Sequence, residues 1–183
     1  MKFRIQHYRQ LSSTNTLALQ YAARGAAEGL VIVADYQTSG RGQFERRWIS
    51  PPAKNLLFSV LLRPPVSPHK APWLTQIACR SIADVLRKRF KVNPTYKRPN
   101  DILVRGKKIC GILVEASSSS RSKLENAVVG IGLNVNANPD QLVPGATSLK
   151  CERDGKSSSR NALLMAILEQ LNKDLTHLYA SLT

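Results

Sequence analysis

Long apolar runs are what this 183-residue chain most plainly lacks. The longest, Leu56 to Leu62, is strand length, far short of the roughly 20 residues a membrane-spanning helix needs. The opening stretch Met1-Lys2-Phe3-Arg4-Ile5-Gln6-His7 has none of the apolar body of a signal peptide. Cysteine is scarce: Cys79, Cys110 and Cys151 are odd in number and far apart, which fits neither a disulfide framework nor the close pairs of a zinc site. They read as reduced thiols of a cytoplasmic protein. Internal repeats are missing, and the one low-complexity patch, Ser117 to Ser122, reads as a solvated turn. Acidic residues are few, 12 Asp+Glu against 27 Lys+Arg, for a formal net charge of +15. That surplus invites nucleic acid, phosphorylated ligands or an acidic protein, and does not choose among them.

What is present is an ordinary globular composition, 43% hydrophobic, in a length that suits one domain over 1–183. Alternation in Phe3-Arg4-Ile5-Gln6 predicts an opening strand. Ser12-Ser13-Thr14-Asn15 supplies helix-capping chemistry before Leu17, Ala18, Tyr21 and Ala22, and Gly25 is placed to end that helix. Further strands are predicted over Leu30 to Ala34, Asn55 to Leu62, Ile102 to Val104, Ile109 to Glu115 and Ala127 to Val135. Helical spacing runs from Trp73 to Phe90, and again from Asn161 to Tyr179. Strands outnumber helices and several are joined by short links. The expected fold is therefore α+β: a mixed, largely antiparallel sheet with helices packed on one face.

Four clusters carry the residue types of a binding site. Ser13-Thr14-Asn15 opens a helix, where it serves as an N-cap or as short donors and acceptors for a small polar ligand. Gln37 to Trp48 combines Gly40 and Gly42, which let backbone amides approach an anion, with Arg41, Arg46 and Arg47; alone it also reads as a solvated basic loop. It is neither a Walker loop nor a G-x-G-x-x-G fingerprint, since position 45 is glutamate. Lys97-Arg98-Pro99-Asn100-Asp101 leads into Lys107-Lys108 and an apolar strand through Gly111 to Glu115, so the Lys108 ammonium either borders a partly dry pocket or is one of two exposed hairpin lysines. Gly130 to Asn136 is a strand whose glycines admit a ligand or a neighbouring backbone, with Asn134 and Asn136 on one face. The three histidines, His7, His69 and His177, lie outside all four clusters. The chemistry this predicts is charge stabilisation rather than proton relay.

In this order and at these intervals the clusters, with Ala146-Thr147-Ser148-Leu149 beyond them, resemble the catalytic domain of biotin–protein ligases over roughly residues 10–150. The resemblance implies a sheet related to class II aminoacyl-tRNA synthetases. It also implies a two-step reaction: biotin and ATP give biotinyl-5′-AMP and pyrophosphate with Mg²⁺, and the acyl group then passes to a lysine of a biotin carboxyl carrier domain. By the same resemblance Lys108 and Arg41 are the catalytic groups, with Lys108 bridging carboxylate and α-phosphate. Ser13, Thr14, Asn15, Gln37, Gly40, Arg41, Lys108 and Gly111 are the biotin site. Arg41, Gln43, Trp48, Lys97, Asn100, Asp101 and Asn134 are the ATP site, with Asp101 on the metal side and Asn134 on the adenine. Members of the family often pair through the sheet edge, so the resemblance allows a homodimer; with no helix-turn-helix ahead of the first motif, no DNA partner is expected.

This chain departs from the family pattern at Gln43 and Glu45 in the loop and at Arg98, where tryptophan is usual; these bear on nucleotide affinity. Neither an N-terminal helix-turn-helix nor a C-terminal SH3-like barrel is expected within 1–183. Competing readings are a catalytically weak biotin- or carrier-binding homologue, a lipoate-type ligase and a basic nucleic-acid module. The lipoate-type Arg-Arg-x-Ser-Gly-Gly-Gly motif is missing, and no stacking series of aromatics interleaves the basic residues.

Overall fold

The computed structural model describes residues 1–44, 46–118 and 123–180. Glu45 and most of the serine-rich patch, 119–122, lie outside the described residues. Seven strands form one sheet: β1 (Arg4–Leu11), β2 (Leu30–Gln37), β3 (Leu56–Leu62), β4 (Pro94–Lys97), β5 (Asp101–Val104), β6 (Lys107–Ser117) and β7 (Asn126–Leu133). Their spatial order is β1-β2-β3-β7-β6-β5-β4, with β1 and β2 parallel and every other neighbouring pair antiparallel. The helices are α1 (Thr14–Ala23), α2 (Ala71–Phe90) and α3 (Arg160–Ala180). None of the described helices is long and apolar enough to cross a membrane.

The mixed sheet agrees with the sequence reading; the expected placement of helices holds for α2 and α3 but not for α1. Leu74, Ile82 and Leu86 of α2 and Leu164, Ile167 and Leu171 of α3 share one core with Val31, Phe58, Val60 and Ile112. Ala18 and Ala22 of α1 pack with Ile32, Leu61 and Val128, which point to the opposite face. The handedness of crossovers dictates this split. β1–α1–β2 and β3–α2–β4 both join parallel strands and both move the same way along the sheet, but their strands run in opposite directions, so right-handed connections put the two helices on opposite faces. β3 bears the mark in its sequence, since all seven of its residues are buried and only Ser59 is polar, as a strand covered on both faces requires. β4, at the far edge, was not expected; it is four residues long, begins at Pro94 and is exposed at the other three.

α1 starts where Ser13 caps it, its Oγ accepting from the Thr16 N–H. Its far end is tied to the sheet by Arg63, which follows β3. The guanidinium donates to the carbonyls of Ala22 and Ala26, and to that of Glu125 ahead of β7. Removing it leaves the part-buried carbonyls of Ala22 and Ala26, and the exposed one of Glu125, without a charged donor. Arg63→Met is therefore expected to lower stability by about 1–3 kcal/mol, read as a lower urea midpoint with an unchanged denaturant slope.

Candidate active site

A cleft of about 390 Å³ opens on the α1 face of the sheet. Its floor is where side chains are missing. Gly111 of β6 pairs directly with Gly132 of β7, and Leu113 pairs with Gly130. A Cβ at Gly132 would collide with the Trp48 ring, one at Gly111 would meet the same ring at 2.9 Å, and one at Gly130 would collide with the Asn15 carboxamide. Trp48 and Asn15 thus lie flat on strands that only glycine leaves low enough.

Strand parity alone would put Lys108 on the wrong side, because residues 108 and 111 differ by an odd number. A β-bulge corrects it. The β5–β6 register steps from Ile102 opposite Cys110 to Leu103 opposite Lys108, leaving Ile109 without a partner. Ile109 and Cys110 therefore both point into the α2–α3 core, and Lys108 emerges on the cleft face with Gly111. Its Nζ lies 2.7 Å from Asp101 Oδ1 and 5.5 Å from the centre of the Trp48 ring. Arg41, Arg46, Arg47, Lys97 and Arg98 line the cleft with Lys108, against the one carboxylate, Asp101, among its described lining residues.

At the other end the polar residues are locked into one pattern. Gln37 Oε1 accepts from both the backbone N–H (2.7 Å) and the hydroxyl (3.0 Å) of Thr14, so the Gln37 amide nitrogen is left as a free-facing donor. Ser59, fully buried on β3, lies within hydrogen-bond distance of Thr14 Oγ1 (2.8 Å) and Asn15 Oδ1. Asn15 Nδ2 reaches across Gly130 to Leu113 O (3.3 Å) and Glu115 Oε2 (2.8 Å). Asn15 lines the cleft beside Ser13 and Thr14, and its amide also joins β3 to β6 across the glycine floor. Ser59 escaped the sequence reading, although a lone serine in an apolar strand was a usable signal.

The described residues from Gly40 to Phe44 and from Arg46 to Trp48 fold back on each other, with Arg41 bridged to Arg47. Trp48 N–H donates to Gly40 O and Gly42 N–H to Arg46 O, with Phe44 exposed at the tip in left-handed backbone, φ 53°. Gly40 is required here because a Cβ would meet Trp48 O at 2.5 Å; it lies outside the lining of the main cleft and borders an adjoining hollow. Arg41, expected at the phosphates, is engaged with Glu115 Oε2 at 2.6 Å. Gln43 lines the cleft, and the buried Trp48 Nε1 has no acceptor among the described residues.

On the remaining wall, Lys97 and Asp101 pair across the β4–β5 hairpin, and Asn100 Nδ2 holds its turn to Ile112 O at 2.7 Å. The structure does not bring Asn134 to the cleft. β7 ends at Leu133, so the expected alternation does not carry on to Asn134 and Asn136. Asn134 is buried, accepting from Asn55 Nδ2 (3.1 Å) and donating to Thr147 O (3.0 Å). Thiol chemistry is shut off beneath the floor. Burial pushes Cys79 up to about 11, with Asp101 adding to it, and burial likewise holds Cys110 well above its ordinary value.

A cleft of this make, floored with glycine and ringed by cations, can bring anions together and screen their repulsion. The chain belongs to the biotin/lipoate A/B protein ligase family, whose model matches residues 7–134. Among curated relatives, the bifunctional ligase/repressor BirA of Bacillus subtilis is 36% identical over 162 residues, covering 86% of this chain and 49% of that protein. The biotin--[acetyl-CoA-carboxylase] ligase of Mycobacterium tuberculosis is 35% identical over 167 residues, covering 88% of this chain and 60% of that protein. The chain thus spans about half the length of its Bacillus relatives. Among solved structures, the biotin protein ligase from Aquifex aeolicus in complex with biotin and ATP superposes with a TM-score of 0.82 at 27% identity, over 97% of this chain and 72% of that one.

The glycine floor makes a direct test. Gly132→Ala is expected to lift Trp48 and to cost about 1–3 kcal/mol through overpacking. Iodide quenching of Trp48 fluorescence, measured in a Trp73→Phe background, should rise in the Gly132→Ala protein; an unchanged quenching constant would place the ring elsewhere.

Proposed function

We propose that this chain is a biotin–protein ligase: it activates biotin with ATP as biotinyl-5′-AMP and passes the acyl group to a lysine of a biotin carboxyl carrier domain. The observation that carries the reading is Lys108, swung by its bulge onto the glycine floor among cations, in a chain whose relatives include named biotin ligases. In the first step a carboxylate oxygen of biotin bonds to the α-phosphorus of ATP, and the bond to the β-phosphate oxygen breaks to release pyrophosphate. In the second, the carrier lysine's amine bonds to the acyl carbon, and AMP leaves.

Both reactants of the first step are anions. Two unit charges about 4 Å apart repel by about 4 kcal/mol at the effective dielectric near a protein surface. A lysine between them removes that opposition, and a fixed pocket removes the entropy of bringing them together. Lys108 would take this position, and the ion pair with Asp101, whose carboxylate also lines the cleft, supports it. Thr14 and Gln37 offer a hydroxyl oxygen and an oriented amide donor to the ureido ring, which carries both N–H groups and a carbonyl. Ser13, at the mouth of α1, adds its hydroxyl. The unsatisfied Trp48 N–H gains an acceptor when a polar ligand fills the cleft.

Arg41, which borders both the cleft and the adjoining hollow, would reach the phosphates by exchanging Glu115, its partner in that hollow, for them. Mg²⁺ suits a site with one carboxylate, being commonly held by one or two carboxylates together with phosphate oxygens. Asp101, the one carboxylate among the described lining residues of the cleft, is the residue that would hold the ion, which would neutralise phosphate charge. The Lys97, Arg98, Arg46 and Arg47 side chains give the triphosphate and an acidic carrier an attractive mouth. The three cysteines stand free, in keeping with a cytosolic setting.

Labelled ATP with biotin and Mg²⁺, followed by a carrier domain, tests both steps. The wild type is expected to form biotinyl-AMP and then label the carrier. Lys108→Ala should lower adenylate formation by about 10²- to 10³-fold, the range found on removing one electrostatic stabiliser, while its circular dichroism and melting point stay near wild type. Undiminished turnover in Lys108→Ala would remove this mechanism, and use of lipoate in place of biotin would move the chain to the other branch of its family.

A further inference from the structure

Lys108 stands at an awkward place in the sheet. It is the second residue of β6, two residues past the left-handed Arg105-Gly106 turn and next to the bulge. On the β5 side it has Leu103, but β7 pairing begins only at Cys110 opposite Leu133. A strand end with one open side frays easily, and fraying there would release the one lysine whose position matters.

The open side is filled by a loop. Gly145 O accepts from the Lys108 N–H at 2.9 Å and Thr147 N–H donates to Lys108 O at 2.8 Å, making an isolated parallel bridge between Lys108 and Ala146. The loop is fastened in turn. Thr147 Oγ1 donates to Glu152 Oε1 at 2.6 Å, and the Glu152 side chain, 9% exposed, has its other oxygen 3.7 Å from Arg105 Nε. Thr147 O accepts from Asn134 Nδ2, and the Asn134 N–H holds the carbonyl of the bulged Ile109 at 2.9 Å. Thr147 itself is 3% exposed and lies outside the cleft lining.

We propose that Thr147 and Glu152 are positioning residues for Lys108: their hydrogen bond pins the 145–147 loop as an eighth, single-bridge strand that fixes the Lys108 backbone and keeps its ammonium on the cleft face. The proposal rests on Lys108 being the central group of the ligase reaction. Neither residue touches the cleft, so they act on rate through geometry. A displacement of about 1 Å at a reacting group costs up to about a hundredfold in rate.

The test combines amide exchange with half-reaction kinetics on the intact chain. In Thr147→Val, which keeps shape and loses the hydroxyl, exchange of the Lys108 amide should quicken at least about tenfold while Ile112, inside β6, stays as protected as in wild type. Biotinyl-AMP formation should fall about ten- to hundredfold in kcat, with KM for biotin and ATP held within about twofold, as loss of a purely transition-state interaction requires. Thr147→Ser should restore both readouts, and Glu152→Gln, which keeps an acceptor oxygen, should resemble wild type. Unchanged Lys108 exchange in Thr147→Val, a raised KM for ATP with unchanged kcat, or no rescue by Thr147→Ser would each overturn the clamp. If the wild type makes no adenylate yet Lys108 exchange still quickens in Thr147→Val, the ligase reading fails and the clamp stands.

Discussion

A β-sheet presents a ligand with a wall of side chains unless some are removed, and here the sheet's α1 face is stripped at three neighbouring positions. Gly111 and Gly132 face each other across β6 and β7, and Gly130 lies two residues along. The rest of the site depends on this hollow. Asn15 uses the space over Gly130 to tie β3 to β6, and Trp48 uses the space over the other pair to anchor the hairpin that roofs the cleft. Filling any of the three positions would push out a group that holds another element in place.

The hollow would be a plain groove without charge aimed into it. One extra residue in β6 turns Lys108 from the core to the cleft, and buried Ile109 takes the core position it vacates. The same local irregularity therefore serves packing and chemistry. Around it the basic residues are spread over three separate segments, the hairpin, the β4–β5 turn and β6. Glu115 holds Arg41 beside the adjoining hollow while Asp101 holds Lys108 at the floor, so each carboxylate offsets the repulsion its cation feels from the others before an anion arrives. Part of the +15 surplus thus has a place at the site; the basic residues on the α2 surface, such as Arg87 and Lys88, engage Asp84 and have no role here.

The sheet, its long helices and most residues lining the cleft were legible because their signals are local. Buried β-branched strands, the Ser13 cap, the glycine pairs and the basic loop each announce themselves within a few residues. What could not be read depends on partners far along the chain. The side occupied by α1 follows from the direction of whole strands, not from α1's own pattern. β4 is short, starts with proline and lies on an edge, so it lacks the alternation that marks a strand. Asn134 looked like a strand residue facing a ligand, but its chain has left the sheet and its amide is claimed by Asn55 and Thr147. The Lys108 bulge is visible only once β5 is laid beside β6, and Glu115 gains its meaning from Arg41, 74 positions away.

On the proposed ligase reading, one cleft holds biotin's carboxylate and the α-phosphate of ATP together and joins them before any acceptor is present. Isotope exchange between pyrophosphate and ATP tests it most directly, because that exchange requires reversible adenylate formation and nothing else. Exchange that depends on biotin and Mg²⁺ and proceeds without a carrier domain is the predicted result. Exchange that ignores biotin, or none at all from a chain that binds both ligands, would mean that the cleft does not join them.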